Sequence, residues 1–269
     1  SHKMGSLENF KLSELFVIPS DKFLAEDIKK NALYESDDIL LSVHGFNNGA
    51  ERASLAFMQI VYDIRFQGIP IAFLWPSLGE SGASAYHKDE ETAALSYQPL
   101  ADFLVKLIEV NQSKAKPGKI HLLAHSMGNR VLLNAVHLAK KKIKSGKPFA
   151  EIMLAAPDID VTEFVTVIPS SIALSERVTL YHCADDKALK MSRVIHLNKR
   201  VGEAAVPFEG VVNIDATNAN TSVLGHDYHA SKSPLLYDLD MLINKQTSPA
   251  ERPTLRKGEI KGHTVWYFP

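Results

Sequence analysis

Apolar residues fall along this chain in two rhythms. Short unbroken runs alternate with longer stretches in which apolar positions recur every three or four residues. Unbroken runs suit strands buried on both faces, and the longer rhythm suits helices with one face in a core. Ile39–Val43 (ILLSV) predicts a strand ending at His44-Gly45, with a helix following from about Ala50 to Phe66. Pro70–Trp75 (PIAFLW) predicts the next strand, stopped by Pro76. A Gly/Ser-rich loop, PSLGESGASAY, then leads to a long predicted helix from about Lys88 to Val110. Ile120–Ala124 predicts a strand, and Val131, Leu132, Ala135, Val136 and Ala139 repeat at helical spacing after it. Ile152–Ala155, Val178–Cys183 and Val211–Ile214 add three strands. This alternation predicts one α/β domain with a mostly parallel sheet and helices on both faces.

Composition narrows the picture only where it excludes something. The formal net charge of -1 gives no global field toward nucleic acid. Lys140, Lys141, Lys142 and Lys144 precede Gly146 and read as a solvated helix end. A single cysteine, Cys183, rules out an internal disulfide framework and fits a reducing compartment, so a cytoplasmic location is expected. No apolar run approaches the roughly 18 residues of a membrane helix, so no integral membrane segment is expected. Residues 1–5 read as an expression scar and 6–269 as a single domain, with 248–269 a tail or edge strand around HTVWYF.

Chemistry enters where the strand Ile120–Ala124 meets its helix. Ala124-His125-Ser126-Met127-Gly128 fits the G-x-S-x-G elbow, with alanine in place of the first glycine. That pattern sets a serine on a tight strand-to-helix turn, where only small neighbours leave room for the backbone. Attack by such a serine on an acyl group creates an oxyanion, which needs donors aimed at it beforehand. Met127 offers one backbone N–H, and the earlier turn HGFNNG offers a second, at Phe46 or Asn47.

The acid and base should follow the serine in the order acid, then histidine. His226, in SVLGHDYH, fits the base, with His229 its rival. His182 lies inside a strand and reads as packed, while His121 and His125 flank the elbow too closely to serve it as base. Without an H-E-x-x-H pattern no catalytic metal is expected, and no cofactor is implied. Asp158 and Asp160 (AAPDID) and Asp185 and Asp186 (CADDKAL) are the acid candidates. The acid of such a sheet follows the second strand after the elbow strand, which selects the ADD turn. Asp186 opens a helical stretch there and is favoured, while Asp185 suits an N-cap.

VHGFNN, FLWPS, AHSMGNRVLL, AAPDID, the Tyr-x-x-x-x-D-x-A-L block and the late L-G-H-x-Y occur in one order between about Leu40 and Tyr228. In these blocks the chain resembles a bacterial family of α/β-hydrolases long catalogued as a domain of unknown function. The resemblance implies an α/β-hydrolase fold, Ser126 as nucleophile, His226 as base and, from the D-x-A-L block, Asp186 as acid. Family members often carry extra strands before VHG, where this chain has only about 35 residues, so the start of the sheet is expected to be shortened or rebuilt from FVIPS.

The activity expected is cleavage of short-to-medium acyl esters, small molecules, through an acyl-serine. The alternatives are amide, thioester or lactone substrates, acyl transfer, or a non-catalytic binding protein on a hydrolase frame. Trp75, Tyr86 and Phe46 are candidate acyl-pocket walls, with Trp75 equally readable as core, and Asn47 and His125 are further substrate-binding candidates. No insertion is long enough for a large lid.

Overall fold

The computed structural model describes residues 22–30, 33–144, 146–186, 189, 192, 198–219 and 234–269. Eight strands form one sheet: β1 (Ile39–Val43), β2 (Ile69–Phe73), β3 (Ile120–His125), β4 (Phe149–Ala155), β5 (Ser175–His182), β6 (Val211–Asp215), β7 (Arg256–Ile260) and β8 (His263–Tyr267). Their order is β2-β1-β3-β4-β5-β6-β8-β7, parallel throughout except for β7 against β8. The HTVWYF stretch is thus a strand between β6 and β7, and the edge position falls to β7. FVIPS lies outside the described residues.

Among the described residues the α-helices that connect these strands are α1 (Ala50–Asp63), α2 (Ala83–Leu95), α3 (Tyr97–Gln112), α4 (Gly128–Lys140), α5 (Val161–Leu174) and α6 (Pro234–Ile243). Successive strand residues point to opposite faces, so each strand feeds two cores. Ile39, Leu41, Ile120, Leu122, Ile152 and Leu154 pack with α3, α4 and α5. Leu40, Leu123, Met153 and Tyr181 meet Phe57 and Ile60 of α1 and Leu235 and Leu239 of α6 on the other side. Burial on both faces explains the unbroken apolar runs.

The long helix expected from Lys88 to Val110 is two helices meeting at Ser96, and the first begins at Ala83 inside the Gly/Ser-rich stretch. Pro99 accounts for the break. It has no N–H to offer an earlier carbonyl, and it sits in the first turn of α3, where that bond is not needed. α5 and α6 had no counterpart in the expected elements.

Ion pairs are also buried within this frame. Arg252 Nη1 donates to Asp238 Oδ2 at 2.7 Å, Tyr181 Oη–H donates to the same oxygen at 2.7 Å, and both charged side chains are fully buried. Arg252→Met is expected to cost about 3–5 kcal/mol, because it strands Asp238 without its counter-charge. The double variant Asp238→Leu/Arg252→Met should recover most of that loss, and urea unfolding of the two proteins checks the pair.

Candidate active site

β3 carries its apolar run straight to His125, and α4 begins at Gly128, which leaves two residues to reverse the chain. Ser126 takes the bend with φ 51°, a left-handed backbone that a residue with a Cβ adopts only under strain. The bend is fixed from several sides. Ser126 N–H donates to Ala155 O at the end of β4 (3.0 Å). Ser126 O accepts from the N–H groups of Asn129 (3.1 Å) and Asp158 (3.2 Å) and from Asn129 Nδ2 (2.9 Å). Asn129 Nδ2 also donates to Ala155 O (3.1 Å), so this fully buried side chain ties elbow to sheet.

The turn after β1 is pressed against this bend. A Cβ placed on Gly45 would lie 2.9 Å from Ser126 Cβ, and one on Gly128 would lie 2.3 Å from His44 O. Glycine is required at both positions because two backbones touch there. Asn47 turns the loop with φ 58°, and Asn48 Nδ2 donates to Phe46 O (3.2 Å). The backbone N–H groups of Phe46 and Met127 make no hydrogen bond among the described residues, and each belongs to one of these two adjoining turns. His125 is half-buried, with Nδ1 3.1 Å from the position of a Gly45 Cβ.

Asp186 stands just beyond the C-terminal end of β5, half-buried. Its N–H reaches Cys183 O (3.3 Å) and its Oδ1 accepts from Leu189 N–H (3.0 Å), a helix-capping bond that the sequence reading had placed with Asp185. Asp185 is exposed. Asp160 caps α5 by accepting from Thr162 N–H at 2.7 Å. His226 and His229 lie outside the described residues. His182 is buried within β5, with Nδ1 4.0 Å from Asp215 Oδ1.

Asp158 is held differently. Its carboxylate, 2% exposed, accepts from Tyr86 Oη–H (2.7 Å) and Ser192 Oγ–H (2.6 Å) and lies 3.2 Å from Arg200 Nε. Burial, and then the Asp158 charge, push the Tyr86 phenol well above its ordinary range, so it stays a donor. Both oxygens of Asp158 are therefore engaged inside the protein. The sequence offered no sign of the Arg200 partner.

Trp75 and Tyr86, expected as pocket walls, are both buried scaffold. The Trp75 ring stacks on His44 (centroids 4.9 Å apart, 2° between planes) and its Nε1 donates to His44 O at 2.7 Å. Its reading as core is the one the packing matches. Tyr86 meets Phe46 edge-on at 5.2 Å, and Phe46 is half-buried. Among the described residues, no three His, Cys, Asp or Glu side chains converge as a metal site would. No helix there is long and apolar enough to cross a membrane.

Among solved structures, the chain is similar to phospholipase PlaB from Legionella pneumophila, at 12% identity over 86% of this chain and 68% of that one, with a TM-score of 0.38. It is similar to PlaB from Legionella pneumophila in complex with thio-NAD at 12% identity, over 86% of this chain and 67% of that one, with a TM-score of 0.37. No curated protein matches the chain. A family model described as "Alpha/beta hydrolase of unknown function (DUF900)" matches residues 20–245, and the parallel sheet and strained serine turn agree with it: the chain belongs to that α/β-hydrolase family.

Proposed function

We propose that this α/β-hydrolase is a serine carboxylesterase that cleaves short-to-medium acyl esters through an acyl-serine. The observation that carries the reading is the left-handed backbone of Ser126 between β3 and α4. A strained residue in a well-packed junction needs a reason, and presenting a nucleophile is one that fits. Ser126 Oγ attacks the ester carbonyl as His226 takes its proton. The amides of Phe46 and Met127 receive the oxyanion. His226 then protonates the leaving alcohol, and later draws a proton from the water that releases the acid. Asp186 holds the imidazole in the useful tautomer and stabilises its cation.

Engagement of Asp158 by Tyr86, Ser192 and Arg200 supports Asp186 as the acid. The connection between β4 and β5 is α5, which buries Phe164, Val167 and Ile168 against the sheet and so cannot serve as a cap. That favours modest esters over long-chain lipids.

Turnover of a panel of p-nitrophenyl esters, anilides and thioesters tests the substrate class. Esters of two to eight carbons should dominate, and a preference for anilides or thioesters would replace the carboxylesterase reading. The acid is tested by exchange. Asp186→Asn keeps a good capping residue and should lower kcat by about 10³–10⁴-fold with little change in Tm. Asp158→Asn should mainly lower Tm, because Arg200 loses its buried counter-charge. The greater loss of kcat in Asp158→Asn, at unchanged Tm, would move the acid to that residue.

A further inference from the structure

Asp89 is fully buried on α2, on the stripe it shares with Tyr86 and Ala93, yet no salt bridge involves it among the described residues. An apolar side chain would suit that position better if packing were its only task, since a buried carboxylate is costly without donors. Its donors come from the segment that follows β2. Ser77 Oγ–H donates to Asp89 Oδ2 (2.6 Å), and Leu78 N–H donates to Oδ1 (2.9 Å).

Ser77 Oγ in turn accepts from the backbone N–H of Asn48 (3.3 Å). Asn48 is 5% exposed, and its Nδ2 donates to Phe46 O, closing the turn that carries the Phe46 amide. The same turn is clipped a second time through His44, whose Nε2 lies 3.0 Å from Trp75 O while Trp75 Nε1 donates to His44 O. A buried carboxyl group thus ends a chain of three contacts whose other end is the loop beside Ser126.

We propose that Asp89, Ser77 and Asn48 are positioning residues that hold the His44–Asn48 turn so that the Phe46 amide receives the oxyanion. The inference rests on the esterase reading above. Asp89 orients the Ser77 hydroxyl, so that its lone pair faces Asn48 N–H, and Asn48 fixes the peptide planes on either side of Phe46. None of the three touches substrate. Their contribution is to keep a donor aimed before the reaction begins, which is where such donors gain their effect.

Ser77→Ala cuts the chain at its middle while leaving both ends in place. Complete loss of an oxyanion donor lowers kcat by about 10²–10³-fold, so a loosened one should lower kcat by about 10- to 30-fold. KM for a p-nitrophenyl ester should stay within about twofold of wild type, because ground-state binding does not use the oxyanion contact. Ser77→Thr restores the hydroxyl and should recover most of kcat, and Asp89→Asn should resemble Ser77→Ala. Thermal unfolding is measured on all three.

The inference is overturned if Ser77→Ala keeps kcat within twofold, or if its loss follows a fall in Tm that Ser77→Thr does not reverse. Wild-type protein inert toward every ester and unlabelled by a fluorophosphonate would instead overturn the esterase reading, and this inference with it. An active wild type with an unaffected Ser77→Ala variant removes the inference alone.

Discussion

Ser126→Ala is expected to lower kcat toward a p-nitrophenyl ester by about 10⁴–10⁶-fold while leaving the fold intact. Only the hydroxyl is lost. The backbone hydrogen bonds that fix the bend, to Ala155 O and from Asn129 and Asp158, use main-chain atoms and remain. Ser126→Gly should be equally inactive yet more stable than wild type by about 1 kcal/mol, because glycine adopts φ 51° without a Cβ penalty. Paired rate and unfolding measurements on the two variants separate chemistry from strain. An alanine variant within tenfold of wild type would remove Ser126 as nucleophile, and a less stable glycine variant would remove the strain argument.

Gly128→Ala should damage the fold itself. Its Cβ would lie 2.3 Å from His44 O and 2.5 Å from Val43 O, both backbone atoms at the end of β1, so neither can swing aside as a side chain could. β1 and the turn after it must retreat from the elbow. The expected loss is about 3 kcal/mol, at the upper end for overpacking, or roughly 6–12 °C in Tm for a domain of this size. Activity should fall as well, because the retreating turn carries Phe46. Gly49→Ala is the control: nothing lies within 4 Å of its Cβ position and its φ is -64°, so Tm should be nearly unchanged. A Gly128→Ala protein that melts within 2 °C of wild type would show that the two backbones are not so closely packed.

How much of this was readable from residue order depends on the range of the interaction. Ile39–Val43 has the same limits in the structure as in the sequence reading, because burial on both faces writes itself into a local run of apolar side chains. The Ser126 turn was readable for a similar reason, since a strand, the two-residue Ser126-Met127 turn and a helix follow one another directly. The break at Ser96 is hard to see in residue order because Pro99 lies inside one long helical stretch, where α2 contributes only a weak apolar stripe.

Pairings between distant segments left no local trace. Asp158 and Asp186 each follow a strand in a short acidic turn, and along the sequence only the strand order and the D-x-A-L block favour Asp186. What residue order does not carry is the arrival of Arg200 and Tyr86 on Asp158. Asn48 and Asn129 stood inside motifs that were recognised, VHGFNN and AHSMGNR, yet their roles depend on Phe46 O and Ala155 O. A polar residue repeated beside a nucleophile motif was the available signal. Trp75 stayed open between wall and core because an aromatic at a strand end reads alike whether it faces a pocket or, as here, a stacked histidine.

The proposed activity depends on one hydroxyl, strained into reach and made nucleophilic by its neighbours. Incubation of the folded protein with a fluorophosphonate, followed by tandem mass spectrometry of its peptides, tests that most directly. One adduct per chain, on Ser126 and absent after heat denaturation, is the predicted result. Folded protein that takes up no label, or takes it up on another residue, would contradict it.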